Sequence, residues 1–320
     1  MKIAMSQINT RIGDLEGNLN KILRCVRKAI SKGVDLVVFP ELALTGYPPR
    51  DILLRPSFIT GQEKALAKLG EKIDQNVAII IGAVERNEGE GRPLRNAARV
   101  WVDGQWIGSY HKARLPEYDL FEESRYFEPG KRFPVFPIRG RQVGISLCED
   151  LWDRLYAGPG CHVRGQELVD RLVANGADLL VSPCASPYEM GKELQRWEAV
   201  YSHVKRCGKP WVYVNMVGGN DEILFDGNSF AVNGEGGLIA QAKGFHEDQV
   251  IFHLEDKSIP LREPEVVESV YQALVMGVRD YALKCGFDQA LVGLSGGIDS
   301  SLVACVAAEA LGPENVEGWA

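Results

Sequence analysis

Three short segments place a carboxylate, an amine and a thiol at the ends of apolar runs. Val-Val-Phe-Pro-Glu-Leu sets Glu41 after a strand-like stretch and before a Gly- and Pro-rich turn. The run Trp106–Tyr110 leads through His111 to Lys112. Val-Gly-Ile-Ser-Leu-Cys-Glu-Asp-Leu-Trp puts Cys148 at a sharp strand exit, where a thiol can be exposed and a backbone N–H can face a developing oxyanion. Singly, these residues are also what a solvated strand-end acid, a surface lysine and a packed small residue look like. Together they are the parts of a cysteine-dependent amide hydrolase. A free thiol with a pKa of about 8.5 is mostly protonated at neutral pH, so attack on an amide needs a base. A carboxylate can take the thiol proton and later deliver it to the leaving ammonia. A lysine ammonium helps hold the thiolate and stabilises the tetrahedral oxyanion. No histidine is needed; His111, the nearest candidate, precedes Lys112 on a strand and should face the opposite way.

Composition bounds the setting for that chemistry. The 320 residues are 45% hydrophobic and 25% charged, enough for one large α/β domain and something smaller. A net charge of -7 argues against a nucleic-acid surface. No apolar run approaches the roughly 18 to 20 residues of a membrane span, and the N-terminus reads directly into a strand, so a cytoplasmic protein is expected. The seven cysteines are scattered, with no Cys-x-x-Cys pair, which argues against both a zinc site and a disulfide framework. Most should be small buried residues, Cys184 among them.

The elements that must position these groups alternate between strand and helix. Strands are expected over Ile3–Ile8, Leu36–Phe39, Val77–Val84, Gln142–Leu147, Leu179–Ser182, Trp211–Met216 and Val250–Leu254. Leu19, Ile22, Leu23, Val26, Ala29 and Ile30 recur at helical spacing, and further helices are expected over Phe58–Ile73, Gln166–Asn175 and Lys192–Cys207. Hairpins turn at Asp103-Gly104, from Val100–Val102 into Trp106–Tyr110, and at Asn233-Gly234, from Ser229–Val232 into Leu238–Gln241. Such hairpins imply a mixed sheet with helices on one side. Residues 258–264, with Pro260 and Pro264, read as a linker between a first unit, 1–257, and a second, 265–320. In the second, a helix is expected over Glu265–Cys285, a strand over Ala290–Leu294 and a helix over Ser300–Leu311, with a next strand due where the sequence stops at Ala320. These pieces cannot close a core of their own.

The first unit resembles the glutamine-hydrolysing nitrilase domain of the glutamine-dependent NAD synthetase family. The likeness rests on Phe-Pro-Glu-Leu…Thr-Gly-Tyr-Pro-Pro-Arg-Asp, Lys-x-x-Leu-Pro-x-Tyr…Glu-x-Arg-Tyr-Phe and Leu-Cys-Glu-Asp-Leu-Trp, in that order. It implies a four-layer α-β-β-α sandwich that assembles into a homo-oligomer, with Glu41 as general base, Lys112 and Cys148 as its partners, and Glu123 as a second supporting glutamate. It also implies a glutamine pocket lined by Tyr118, Trp152, Ser186 and Lys192, the last standing where relatives can carry arginine. Lysine cannot make arginine's bidentate fork to a carboxylate.

The tail reads Ala-Leu-Val-Gly-Leu-Ser-Gly-Gly-Ile-Asp-Ser-Ser, an apolar strand, a small-residue loop and a helix that Asp299 or Ser300 can cap. That arrangement aims backbone N–H groups and a helix dipole at an anion. It is neither a Walker loop nor a Gly-x-Gly-x-x-Gly fingerprint. It resembles the pyrophosphate loop that opens the Rossmann-like α/β domain of ATP pyrophosphatases. The resemblance gives Ser295, Gly296, Gly297, Ile298, Asp299, Ser300 and Ser301 to ATP, with Mg²⁺ as its ion and no ligand identifiable for it. The pairing of the two units implies amidation of deamido-NAD to NAD with ammonia from glutamine. The competing readings are a stand-alone amidase, for which a phosphate loop has no use, and a non-catalytic interaction module, which has no need of Glu41, Lys112 and Cys148 together.

Overall fold

The computed structural model describes residues 1–73, 76–152, 164–262 and 265–320. Its elements run β1 (Lys2–Gln7), α1 (Leu15–Ser31), β2 (Leu36–Val38), α2 (Pro56–Lys72), β3 (Ala78–Arg86), β4 (Leu94–Val102), β5 (Gln105–His111), α3 (Glu123–Tyr126), β6 (Val135–Ile138), β7 (Arg141–Ile145), α4 (Gly165–Ala174), β8 (Leu179–Cys184) and α5 (Lys192–Cys207). They continue with β9 (Trp211–Asn215), β10 (Val217–Asn220), β11 (Ile223–Asp226), β12 (Phe230–Val232), β13 (Leu238–Gln241), β14 (Asp248–His253), α6 (Val266–Cys285), β15 (Ala290–Gly293), α7 (Ile298–Leu311) and β16 (Val316–Trp319).

Two six-stranded mixed sheets carry the first unit, ordered β14-β1-β2-β3-β4-β5 and β13-β12-β9-β8-β7-β6. Each has three parallel strands at its centre, β1-β2-β3 and β7-β8-β9, flanked by antiparallel ones. Strand alternation decides what each face meets. Ile3, Met5, Val38, Ile80 and Val100 turn inward and share a core with Val143, Ile145 and Val181 of the second sheet. Ala4, Val37, Ile79 and Ile81 turn outward onto Leu19, Ile22 and Val26 of α1 and Leu66 and Leu69 of α2. Leu168, Leu172, Val200 and Val204 of α4 and α5 bury against the second sheet. The result is an α-β-β-α sandwich. The single mixed sheet suggested by the alternation alone is thus two, because one layer would leave the inward residues of both sheets in water.

Asp14 caps α1 by accepting from Gly17 N at 2.9 Å, and Gly208, at φ 65°, lets α5 end in a left-handed turn. The 258–262 stretch has no regular structure but is not loose. Ile259 N donates to Leu238 O, and the Arg262 backbone exchanges two hydrogen bonds with the Gln241 side chain, so it follows β13. Residues 263–264 lie outside the described residues. Beyond them, α6 starts at an Glu265 cap that accepts from Glu268 N and ends at Gly286, φ 88°. The strand due after Ala320 is already present as β16, paired in parallel with β15. Among the described residues no helix is long and apolar enough to cross a membrane.

Candidate active site

Glu41 leaves the end of β2 and lies hard against β3. A side chain at Gly82 could not be fitted there: a Cβ would stand 2.1 Å from Leu42 N and 2.5 Å from the Glu41 carbonyl carbon. Glycine is required by this close approach. The Glu41 side chain is fully buried. Its Oε1 accepts from Lys112 Nζ at 2.6 Å and from Asn96 Nδ2 at 2.7 Å, and its Oε2 accepts from Ala185 N at 3.1 Å, across to the other sheet. Lys112, buried beyond the end of β5, also donates to Glu123 Oε1 at 2.8 Å, and that oxygen accepts from Tyr47 O–H at 2.7 Å.

One ammonium therefore serves two buried carboxylates. Burial alone would pull Lys112 down, but Glu123 and Glu41 hold it well above the ordinary lysine value. Burial, with the Glu41 charge adding to it, pushes Glu123 up to about 7 against the pull of Lys112. Like charges cannot both ionise freely around a single cation, so the cluster is ready to keep a proton.

Cys148 opens a short 3₁₀ turn, Cys148–Leu151, with two residues between it and the end of β7, and has φ 45°, a left-handed conformation uncommon for a residue with a Cβ. Its thiol is held well above the ordinary cysteine value, first by a hydrogen bond with the Cys184 thiol, then by burial and the Glu41 charge, with Lys112 pulling the other way. The resting site thus favours the thiol, not the lysine-held thiolate that the residue types suggest. Cys184 is packed in the core, directly behind Cys148, but it alone of the six described cysteines is fully buried, where most were expected to be.

A cavity of about 640 Å³ opens over these groups. Lys112, Cys148 and all four residues expected in a pocket, Tyr118, Trp152, Ser186 and Lys192, line it. Tyr118 O–H donates to Glu149 Oε2 at 3.0 Å, and Lys192 Nζ lies 5.0 Å over the Trp152 ring and 3.6 Å from Glu189. Charges of both signs at this wall suit a zwitterionic amino-acid head better than a neutral amide. His111 points away, its ring 2.6 Å from Glu85.

Sequence reasoning missed three framing residues. Asp150 accepts from Leu147 N, Ala113 N, Arg114 N and Tyr110 O–H, so one carboxylate ties the Cys148 turn to the Lys112 segment. Asn96 bridges toward both glutamates. Arg196, buried on α5, donates to the Ser186 side chain and carbonyl, to Pro187 O and to Asp226, and so fixes the pocket loop from behind. A signal for Arg196 existed: it shares helical spacing with Val200, His203 and Val204, the buried face of that helix.

Residues Ser295 to Ser301 are absent from this cavity's lining. Ser295, Gly296 and Gly297 form a separate exposed loop in which Gly296 has φ 77°, and Ile298 to Ser301 form the first turn of α7. The helix begins at Ile298 with Gly297 as N-cap, so Asp299 lies inside the first turn instead of capping it. Ser300 and Ser301 turn their hydroxyls back to Gly297 O.

A protein-family model described as carbon-nitrogen hydrolase matches residues 2–258, and one described as NAD synthase matches residues 270–320. The glutamine-dependent NAD(+) synthetase of Synechocystis sp. is 42% identical over 328 residues, covering 99% of this chain and 58% of the relative. That of Thermotoga maritima is 35% identical over 361 residues, covering 99% and 60%. The solved structure of glutamine-dependent NAD+ synthetase from Acinetobacter baumannii in complex with ADP superposes with a TM-score of 0.90 at 35% identity, over 99% of this chain and 58% of that one. An amidase of the nitrilase superfamily from Nesterenkonia AN1 shares the fold at 24% identity and a TM-score of 0.66, over 79% of this chain and 89% of that one. The chain spans about three-fifths of the length of the synthetases it matches. With the first of these family models covering everything from β1 to beyond β14, the chain belongs to the carbon-nitrogen hydrolase family.

Proposed function

We propose that this chain hydrolyses the side-chain amide of glutamine at Cys148 and that the ammonia serves an ATP-dependent amidation of deamido-NAD to NAD. The observation that carries the reading is one buried lysine shared by two buried carboxylates beside a half-buried thiol, at a cavity walled by both signs of charge. Glu41 takes the Cys148 proton as sulfur bonds to the amide carbon. The oxyanion is met by Lys112, which Glu123 holds in place. The tetrahedral adduct collapses with C–N cleavage, and Glu41 returns the proton to nitrogen as ammonia leaves. Water then attacks the thioester, Glu41 accepts its proton, and glutamate departs as the thiol is restored.

In the same proposal residues 1–257 form the amide-hydrolysing unit, and 265–320 begin the synthetase unit beyond the 258–264 linker. Ser295, Gly296, Gly297, Ile298, Asp299, Ser300 and Ser301 hold the pyrophosphate of ATP at the N-terminus of α7. The nicotinate carboxylate displaces pyrophosphate from ATP to form an acyl adenylate, and ammonia displaces AMP from it. Mg²⁺ would accompany ATP there and offset the charge of its phosphates; among the described residues no three His, Cys, Asp or Glu gather to hold a metal ion. A homo-oligomer built through the first unit, acting in the cytoplasm, belongs to the same reading.

Ammonia release from glutamine, measured with this chain and with Cys148→Ala, tests it. Release that depends on Cys148 supports the reading. No release overturns it, and release from other amides but not glutamine indicates a stand-alone amidase.

A further inference from the structure

The α6 helix lies outside the sandwich, yet its last turns reach toward the site. Lys284 Nζ donates to Asn9 Oδ1 at 2.6 Å, Gly219 O at 2.8 Å, Asn220 Oδ1 at 2.8 Å and Thr10 O at 3.0 Å. Asp280, one turn earlier and almost fully buried, accepts from Asn9 Nδ2 at 2.6 Å and Gly219 N at 2.7 Å. Fit is close on both sides. A Cβ at Gly219 would stand 3.3 Å from the Asp280 Cβ, and one at Gly277 would stand 3.3 Å from Leu224. A fastener needs no partly buried ammonium with four acceptors, since apolar packing of equal volume holds as well or better.

What the ammonium holds is the β10–β11 hairpin. Asn220, at the end of β10, accepts from Lys284 with one end of its amide and donates to Tyr47 O at 3.1 Å with the other. Tyr47 in turn donates its hydroxyl to the Glu123 oxygen that Lys112 shares. The other strand of the hairpin puts Ile223 and Leu224 into the cavity wall and Phe225 edge-on against the Tyr47 ring. Hydrogen bonds therefore run from α6 to the backbone of Tyr47 and from the hydroxyl of the same residue to the carboxylate that holds the ammonium beside Cys148.

We infer that Lys284, with Asp280 beside it, is a positioning residue for the amide-hydrolysing site, acting through Asn220 and Tyr47 on the Glu123–Lys112 pair. The inference rests on the proposed function for its kinetic readout but not for its chemical one. With Lys284 removed, Asn220 Oδ1 loses its donor, the amide is free to turn, and Tyr47 is no longer held at its backbone. Glu123 then holds Lys112 less firmly, which weakens stabilisation of the thiolate and of the oxyanion.

The test compares Lys284→Met, Asn220→Ser, the double variant and Lys284→Arg in this chain. Three quantities are read: the rate at which iodoacetamide alkylates Cys148, followed by mass spectrometry of its peptide; kcat and KM for ammonia release from glutamine; and the thermal unfolding midpoint. Lys284→Met should slow alkylation and lower kcat by about tenfold in parallel, with KM moved less than about threefold, as loss of orientation does. Asn220→Ser should match it, the double variant should lose no more than either, and Lys284→Arg should recover most of the loss. Unchanged alkylation and kinetics with a lower unfolding midpoint would make Lys284 a fastener and overturn the inference. Additive losses would also overturn it, by showing two separate paths. Should Lys284→Met fail to fold, Asn220→Ser decides alone, because it leaves α6 intact. If the unsubstituted chain does not hydrolyse glutamine, the proposed function fails while the alkylation rates still judge this inference.

Discussion

Replacing Lys112 with methionine should separate the two tasks of its ammonium. The nitrogen lies 2.6 Å from Glu41 Oε1 and 2.8 Å from Glu123 Oε1, so these oxygens are at most about 5.4 Å apart. Two like charges at that separation repel by about 3 kcal/mol at an effective dielectric of about 20, similar to the loss when one partner of a buried ion pair is deleted. The repulsion vanishes if either carboxyl keeps a proton. Burial already pushes Glu123 to about 7, and loss of the opposing Lys112 charge raises it further. A carboxyl whose folded pKa is raised binds a proton that the unfolded chain has released, so the folded state gains stability as pH falls. In urea unfolding, Lys112→Met should therefore lose about 3 kcal/mol at pH 8 and about 1 kcal/mol or less at pH 5. Lys112→Met/Glu123→Gln should regain most of that loss at pH 8. Activity should not return with stability: the oxyanion has lost its cation, and kcat should remain down by roughly 10²- to 10³-fold in both variants. An equal loss at both pH values, or no rescue by Glu123→Gln, would refute the shared-proton account of the cluster.

Three further outcomes follow from the geometry. Asp150→Ala strips the acceptor from three backbone N–H groups and from Tyr110, so a loss of at least about 3 kcal/mol in chemical unfolding is expected, with slower alkylation of Cys148; a loss under 1 kcal/mol would show that the frame holds without it. Gly82→Ala puts a methyl group into backbone at Leu42 and should lower both the unfolding midpoint and kcat, at a cost of about 2 kcal/mol or more. Because the Cys148 thiol is held above its ordinary range, iodoacetamide at pH 7 should label it more slowly than the exposed Cys285, faster as pH rises, and faster again in Cys184→Ala; rapid labelling of Cys148 at pH 7 would contradict the resting thiol.

What the sequence disclosed was set by local physics. Glu41, Lys112 and Cys148 were legible because each ends an apolar run, and the helices because one face of each is buried. The strand β6, Val-Phe-Pro-Ile, was hidden by Pro137, which argues against a central strand; it lies at the sheet edge, where proline is tolerated. The hairpin β10–β11 was hidden because Val-Gly-Gly-Asn is buried at every position and so shows no alternation. Strand β4 starts at Leu94 rather than Val100, since its charged Arg95 and Arg99 broke the apolar pattern although both side chains are only partly exposed. Asp150 carried no signal, because three of its partners are backbone groups whose place depends on the fold.

The site is divided between the sheets. Glu41 and Lys112 leave strands of the first, β2 and β5, while Cys148 and Ser186 leave strands of the second, β7 and β8. The buried carboxylate and the thiol are thus mounted on two separate plates. The apolar side chains between them, Met5, Ile80 and Val100 against Val143, Ile145 and Val181, act as the shim that sets the gap. Such a filling is dense and yields little, so trimming one of these residues should change the reach from Glu41 to Cys148 without touching either. In this molecule the thickness of the core itself sets how far the carboxylate stands from the thiol.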